Sequence, residues 1–323
     1  MSTAVARGAE DAVRRVPDFV IVGTSRSGTT LVQRLACGLD GVRVPPETHF
    51  RLFMWAMSER RSFPLDEMAL REELAWYSAR KTSNGLALDV DAIVDDLGGA
   101  CSDPWDLFSC LVSHLAGPAE IVGEKTPEHV RWWPALTARF PRLKVICVVR
   151  EPRAVVASNL GVPFAPKSHV LIAERWAAEQ AMVRRAREVL PRARCLVLRY
   201  EDVVADPGSA SEAIARLLRT RPVPTAVRAD DLFHGWEWWK ERALAPITTD
   251  RVDAWAERLT PRQAARVLSI CRPHLAAFGY APRPGRATAL AWRATIRPHD
   301  HARVRVFRSA FAQEMALVDR WSR

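Results

Sequence analysis

The sequence predicts an α/β protein with a mainly parallel central sheet and helices on both faces. Short apolar runs rich in β-branched residues, such as 19–22 and 144–149, are typical of buried strands. Apolar residues at helical spacing follow such runs, as in 29–38 and 127–140. Strands that alternate with helices imply parallel pairing through crossover helices. With 323 residues, the chain can form one elaborated domain or two smaller ones.

The first strand runs into a turn rich in glycine, serine and threonine. Because a helix follows at once, backbone N–H groups and a helix N-terminus point at one spot and form an anion site. Gly23, Gly28 and Thr30 match the spacing of a phosphate-binding P-loop. Thr29, however, stands where an NTPase carries its lysine, and Arg26 supplies a cation instead. The loop therefore predicts a P-loop NTPase-like fold that cradles phosphate, although an ordinary strand–helix turn has similar composition.

Polar residues also follow the other predicted strands. A proline pair ends the strand at 42–44 and leaves Glu47 and His49 in a stiff loop, which either serves the site or is plain surface. Lys125 and Arg150 come at the ends of two further strands. Open α/β sheets bind ligands at these strand ends, so the two cations predict a second anion site beside the phosphate loop.

The remaining segments are mostly helical. Residues 51–117 form a predicted helical insert that shapes the substrate surface. Residues 223–249 are irregular and rich in tryptophan, which fits either a mobile lid or a loop fixed by its aromatic side chains. Two helices are predicted at 252–259 and 261–278. The arginine-rich end of the chain, 281–323, predicts an amphipathic helix that docks on the domain or meets a partner or a membrane surface.

The composition is that of a globular protein, with 48% apolar and 26% charged residues. The net charge of +10 suggests an anionic partner: a nucleotide-like cosubstrate, nucleic acid or a membrane surface. Six widely spaced cysteines without a C-x-x-C pair favour a reducing compartment. Neither an apolar leader segment nor an apolar run of about 18 residues is present, so we expect a cytoplasmic protein.

Two phosphate-binding segments in this order resemble the sulfotransferase family that uses 3′-phosphoadenosine 5′-phosphosulfate (PAPS). Residues 23–31 (Gly-Thr-Ser-Arg-Ser-Gly-Thr-Thr-Leu) are similar to its 5′-phosphosulfate loop, in the Arg-Ser-Gly-Thr-Thr form of tyrosylprotein and many bacterial sulfotransferases. Residues 148–160 are similar to its 3′-phosphate segment, and Tyr200-Glu201-Asp202 and Phe278-Gly279-Tyr280 match two further landmarks. The resemblance implies a sulfotransferase domain over 18–280 that contains the insert, followed by the basic extension.

The resemblance also implies which residues bind the donor nucleotide. The 5′-phosphosulfate would be held by the loop residues Arg26, Ser27, Gly28, Thr29 and Thr30. The 3′-phosphate end would be held by Arg150, Ser158 and Tyr200. Later contacts would come from 238–251, where Lys240, Thr248 and Arg251 are candidates. No metal is expected, because the donor has no γ-phosphate.

The implied reaction moves a sulfuryl group to an acceptor hydroxyl by in-line displacement. Glu47 would be the base that takes the hydroxyl proton, with His49 as the alternative. Arg26 and Lys125 would stabilise the charge of the transition state. The acceptor would be a small molecule or a peptidyl hydroxyl, and nucleic acid would not be a partner.

Three other functions remain open from the sequence. A small-molecule kinase would need the loop lysine that Thr29 replaces. A nucleic-acid or membrane-binding protein would use the basic charge but would leave Glu47 and Lys125 without a role. A family member without catalysis would bind the nucleotide only, although a candidate stands at each catalytic position.

Overall fold

The computed structural model describes residues 17–80, 88–223, 227–228, 232–234, 237–280 and 298–321. Its five strands are β1 (Phe19–Gly23), β2 (Val42–Arg43), β3 (Ile121–Lys125), β4 (Lys144–Val149) and β5 (Cys195–Arg199). They form one parallel sheet in the order β2-β3-β1-β4-β5. The structure confirms the predicted parallel α/β class, and β1, β2, β3 and β4 lie where the sequence predicts strands.

Alternate residues of the central strands face two separate hydrophobic cores. In β1, Val20 and Val22 belong to the larger core, whereas Phe19 and Ile21 belong to the smaller one. All four side chains are fully buried. A strand covered on both faces must be apolar at every position, which explains the continuous apolar runs in the sequence.

Twelve α-helices cover the sheet in the described part of the chain. They are α1 (Thr29–Cys37), α2 (Phe50–Ser58), α3 (Glu67–Ala79), α4 (Val90–Asp96), α5 (Pro104–Ala116), α6 (Trp133–Arg139), α7 (Pro152–Leu160), α8 (His169–Val189), α9 (Tyr200–Ala205), α10 (Pro207–Leu218), α11 (Pro261–Leu275) and α12 (Pro298–Trp321). Helices α1, α9 and α10 contribute to the smaller core, and the others lie on the side of the larger core. In the same described part, three 3₁₀ helices span Pro127–Arg131, Trp238–Ala243 and Ala276–Phe278.

Two predicted helices are wrong in detail. Residues 127–140 form a 3₁₀ helix and then α6, because Pro134 has no N–H to continue a helix and suits the start of a new one. Residues 252–259 form consecutive turns, in which Val252 and Ala256 donate to carbonyls only three residues earlier. The Thr260–Pro261 step ends these turns, and a capping box of Thr260 with Gln263 starts α11.

The basic extension contains a helix that docks on the α/β domain. Val318 of α12 is fully buried in the larger core, and Phe311 and Met315 pack against that core. This contact supports the docked alternative for the predicted terminal helix; residues 281–297 lie outside the described part. No described helix is both long and apolar enough to cross a membrane.

Candidate active site

The C-terminal ends of the strands border a cavity of about 980 Å³. Parallel strands place their following loops at the same sheet edge, so polar residues that are distant in sequence converge there. The cavity is lined by nine of the eleven predicted site residues: Arg26, Gly28, Thr29, Thr30, Glu47, His49, Arg150, Ser158 and Tyr200. The other two, Ser27 and Lys125, are fully buried behind its wall.

The phosphate loop has room for glycine alone at its tightest point. Gly28 has a φ of 100°, in the left-handed region, and it directly precedes α1. A Cβ atom at this position would lie 2.5 Å from Cδ2 of Tyr200. The loop backbone and the Tyr200 ring therefore pack directly against each other at the start of the helix.

Side chains from two other helices support the loop from below. Asn159 of α7 donates to the carbonyl of Ser25 at 3.0 Å, and Gln180 of α8 donates to Oγ1 of Thr24 at 3.1 Å. Oγ of Ser27 is buried and has no hydrogen-bond partner among the described residues. An unsatisfied buried hydroxyl in a loop of this shape fits a bound anion that would accept a hydrogen bond from it.

Two arginines meet at the end of the cavity next to α7. Nε of Arg26 donates to Oγ of Ser158 at 3.3 Å, and its Nη2 donates to the carbonyl of Trp239 at 3.0 Å. The guanidinium of Arg150 lies 4.0 Å from the centroid of the Tyr200 ring, and its buried Nε has no partner among the described residues. Burial lowers the pKa of Arg26, and the nearby charge of Arg150 lowers it further. Arg150 is buried and has a spare donor, and Arg26 beside it is half-buried, so the pair offers the concentrated positive charge that a phosphate group needs.

Glu47 is the centre of a buried charge cluster. Its Oε1 accepts hydrogen bonds from Nζ of Lys125 and, at 2.6 Å, from Nζ of Lys240. Lys240 also contacts Oε1 of Glu237 at 2.5 Å. Nε2 of His49 lies 3.6 Å from the other oxygen of Glu47. Two carboxylates and two ammonium groups are thus paired at the wall of the cavity.

The cluster sets the protonation of its members. Burial alone would raise the pKa of Glu47, but Lys125, Lys240 and His49 outweigh it and hold that pKa well below its usual range. Burial lowers the pKa of Lys125 to about 8, although Glu47 opposes the change. For Lys240 burial is outweighed, and Glu47 and Glu237 raise its pKa. Glu47 is therefore an ionised carboxylate near neutral pH, as a general base must be.

Another buried carboxylate, Glu124, fixes the loop that carries Glu47. Oε1 of Glu124 accepts hydrogen bonds from Oγ1 of Thr48 at 2.9 Å and from Oγ1 of Thr126 at 2.6 Å. Its Oε2 lies 2.8 Å from Nδ1 of His129. Burial opposes ionisation of Glu124, but His129 and these hydrogen bonds hold its pKa below the usual value. Glu124 thus ties the end of β3 to the residue after Glu47.

The sequence did not predict this arrangement completely. Lys240 is predicted as a nucleotide contact, but in the structure its ammonium binds Glu47. Thr248 and Arg251, the other two late candidates, line the cavity. Of the tryptophans in the irregular segment 223–249, Trp238 and Trp239 also line it, whereas Trp236 lies outside the described residues. Glu124 and Glu237 were not predicted. Glu124 could have been predicted, because a carboxylate directly before Lys125 at the end of an apolar strand is unusual. No feature of the sequence marks Glu237 as a site residue.

Glu47, His49 and Glu128 could be taken for a metal site. One ligand atom from each residue lies within 4.8 Å of the others. Glu47, however, already binds two lysines, and Oε1 of Glu128 accepts a 2.5 Å hydrogen bond from Arg175. A metal ion would have to compete with three cations, so the site fits carboxylates neutralised by side chains better than a metal centre.

The opening of the cavity is apolar. Among the described residues, six large apolar side chains are exposed, and three of them, Leu52, Phe164 and Trp238, line this cavity. The rings of Phe164 and Trp239 lie 5.1 Å apart between centroids. Exposed apolar groups that gather at one opening mark a binding surface for an apolar ligand.

Residues 17–225, which contain both predicted phosphate-binding segments, match the model of the sulfotransferase family. The chain belongs to the sulfotransferase family. Protein-tyrosine sulfotransferase 1 of Danio rerio is 23% identical over 288 residues, which are 83% of this chain and 73% of the relative. Protein-tyrosine sulfotransferase 2 of Gallus gallus is 23% identical over 283 residues, or 83% of this chain and 71% of the relative. This sulfotransferase is therefore an enzyme of sulfuryl transfer, as the resemblance implies, and not a kinase.

Solved structures of sulfotransferases share the fold. The sulfotransferase domain from the curacin biosynthetic pathway superposes with a TM-score of 0.56 at 20% identity, over 83% of this chain and 100% of that domain. The sulfotransferase domain of the Synechococcus PCC 7002 olefin synthase gives 0.57 at 18% identity, over 83% and 97%. Both matches support the P-loop-like α/β fold of this sulfotransferase.

Proposed function

We propose that this sulfotransferase uses PAPS as donor and an aromatic or other apolar hydroxyl compound as acceptor. One observation carries the proposal: a single cavity joins the phosphate loop and its arginines to the ionised carboxylate of Glu47. The apolar opening formed by Leu52, Phe164 and Trp238 supports an apolar acceptor. The protein-tyrosine sulfotransferases among its relatives make peptidyl tyrosine a first acceptor to test.

The donor would bind with its two phosphate groups on two sets of residues. The phosphate loop, residues 26–30, offers the N-terminus of α1, the hydroxyls of its threonines and the spare hydroxyl of Ser27. Arg150 and Ser158 would hold the 3′-phosphate, and Tyr200 would contact the same end of the nucleotide. The packing of Arg150 on the Tyr200 ring supports the roles of these two residues. The proposed binding mode needs no metal ion, since the arginines and Lys125 would supply the positive charge that neutralises the donor.

In the proposed reaction, the acceptor oxygen forms a bond to sulfur while the bond from sulfur to the 5′-phosphate oxygen breaks. The acceptor proton passes to Glu47, and the electron pair of the broken bond leaves with the bisphosphate product. Arg26 and Lys125 would stabilise the charge on the sulfuryl oxygens and on the leaving phosphate.

Donor binding would also change the strength of the base. The low pKa of Glu47 is due to Lys125 and Lys240, whose ammonium groups it binds. A phosphosulfate in the cavity would attract both ammonium groups. As they turn toward it, the pKa of Glu47 would rise, and the carboxylate would become a better proton acceptor. Glu47 would thus become an effective base only when the donor is present.

Two measurements test this proposal. Thermal unfolding with 3′-phosphoadenosine 5′-phosphate should show stabilisation of about 2.7 kcal/mol at 100 times the dissociation constant. The effect should be absent with magnesium-ATP and lost in Arg150→Ala. Transfer of ³⁵S from labelled PAPS to a tyrosine peptide and to small phenols then tests the reaction. A shift with magnesium-ATP alone would reject PAPS as donor, and bisphosphate binding without any transfer would reject this acceptor class.

A further inference from the structure

The C-terminal helix α12 lies outside the residues matched by the family model, which end at 225. It nevertheless packs against the catalytic domain. Val304 and Val318 are buried, and Phe311 and Met315 contact the larger core. The helix therefore adds to the domain a surface that the matched part of the chain does not supply.

One carboxylate of this helix is buried in the contact. Glu314 is 4% exposed, and its Oε1 accepts a 3.1 Å hydrogen bond from Nε1 of Trp132. Its Oε2 accepts one from Nη1 of Arg131 at 2.9 Å and lies 3.2 Å from Nη1 of Arg51. Both oxygens are thus held by groups that belong to the catalytic domain.

Glu314 begins a chain of ion pairs that reaches the cavity. Arg131 also binds Oε1 of Glu179 at 2.7 Å, and Nε of Arg175 binds the same oxygen at 3.0 Å. Nη2 of Arg175 then binds Glu128 at 2.5 Å. With Arg51, the network contains three guanidinium groups and three carboxylates. Its charges balance only when Glu314 is counted.

Both ends of this network line the cavity. Arg51 and Glu128 are wall residues, and the carboxylate of Glu128 lies within 4.8 Å of ligand atoms of Glu47 and His49. Arg51 is the second residue of α2, the helix that follows the loop of Glu47. Its neighbour in the chain is Leu52, which lies at the apolar opening. The network therefore supports the side of the cavity that borders Glu47 and the apolar opening.

We propose that α12 supports the acceptor site from outside the cavity and that its Glu314 is a positioning residue, which acts by holding Arg51 in the cavity wall. This inference rests on the proposed function, because it takes that wall as the acceptor side. Without the Glu314 carboxylate, Arg51 and Arg131 would be adjacent cations with no shared partner. Their repulsion would move Arg51, since Arg131 keeps its bond to Glu179 while Arg51 can turn into the cavity.

The test compares Glu314→Gln with the control Arg308→Ala. Arg308 also lies on α12, but its 2.8 Å hydrogen bond to Glu174 of α8 is exposed. We expect Glu314→Gln to raise the acceptor KM roughly tenfold, and the Kd of 3′-phosphoadenosine 5′-phosphate to stay within about twofold. Arg308→Ala should change neither. In an Arg51→Gln background, Glu314→Gln should have no further effect on KM. An unchanged acceptor KM in Glu314→Gln, or an equal effect with and without Arg51, would overturn the proposal.

A structural measurement keeps the test independent of the acceptor. Crystal structures of the wild type and Glu314→Gln should show the Arg51 guanidinium in different positions, with α12 still docked. An unmoved Arg51 would reject the positioning role even if no acceptor were sulfated. If Arg51 moves but the wild type sulfates nothing, the positioning role stands, and the proposed function fails.

Discussion

Nζ of Lys240 donates a 2.6 Å hydrogen bond to Oε1 of Glu47, the oxygen that also binds Lys125. The two lysines come from different parts of the chain: Lys125 ends β3, and Lys240 lies in the 3₁₀ helix Trp238–Ala243. The proposed base therefore depends on two lysines that can be substituted separately. The two substitutions should change different limbs of the pH profile.

Lys240 should control the acidic limb of the pH profile. Replacement by methionine removes a cation that helps to lower the pKa of Glu47, so that pKa should rise. The acidic limb of kcat/KM should then move to higher pH, whereas Lys240→Arg should leave it close to the wild-type position. An acidic limb that does not move in Lys240→Met would contradict this role.

Lys125 should control the alkaline limb. Burial lowers its pKa to about 8, and only its ammonium form stabilises a sulfuryl group. We therefore expect kcat/KM to fall above about pH 8. In Lys125→Arg the fall should disappear, because guanidinium remains charged over this range. If the arginine variant is active but shows the same fall, the titrating group is another residue.

Glu47→Gln tests the identity of the base. It should lower kcat by roughly 10²–10⁴-fold, the usual contribution of a positioned base. The Kd of 3′-phosphoadenosine 5′-phosphate should change little, because the phosphate contacts come from other residues. His49→Gln is the matched variant for the alternative base. A large loss in His49→Gln together with an active Glu47→Gln would assign the proton transfer to His49.

Gly28→Ala should disrupt the phosphate loop. An added Cβ would lie 2.5 Å from the Tyr200 ring, at a φ of 100° that other residues avoid. Gly98 offers a control: its φ is 70°, and nothing lies within 4 Å of its Cβ position. Both alanine variants should lose about 1–2 kcal/mol of stability from the left-handed backbone, but only Gly28→Ala should lose bisphosphate binding. Equal binding by the two variants, measured by calorimetry, would contradict the close packing.

Glu128 should make the protein sensitive to acid. Burial opposes its ionisation, but Arg175, together with Arg51 and His49, outweighs burial and lowers the pKa of Glu128 from 4.5 to about 2. This pair stabilises the fold fully above pH 4.5, and the stabilisation is lost as pH falls toward 2. Denaturation at a series of pH values should show that the stability advantage of wild type over Glu128→Gln shrinks by roughly 3 kcal/mol across this range. A constant difference would show that Glu128 does not titrate there.

The sequence predicted what depends on local pattern. The strand that ends in Gly23 and the loop before Thr29 were predicted correctly, because apolar runs and glycine spacing specify them within a few residues. The turns at 252–259 were not, because a few apolar residues at helical spacing do not make a helix. In these turns the ring of Trp255 packs against the guanidinium of Arg153, 3.8 Å from the ring centroid.

Contacts between distant segments account for the rest. Lys240 and Glu47 are separated by 193 positions, and Arg131 and Glu314 by 183. No periodicity joins such pairs, and nothing in the sequence relates the charge of Glu314 to Arg131 or that of Lys240 to Glu47. Both become meaningful only when the fold removes them from water, where an unpaired charge is costly.

The alternation of β3 has a consequence for how the protein can change through insertions. Glu124, which fixes the loop of Glu47, and Lys125, which neutralises Glu47, are consecutive in one strand and point to opposite faces. A slip of one residue would place either Lys125 in the position of Glu124 or Glu124 in the position of Lys125, and would so bring a charge of the wrong sign into one of the two clusters. The strand therefore has a fixed frame between its pairing with β1 and the Thr126 turn, and length variation must occur elsewhere.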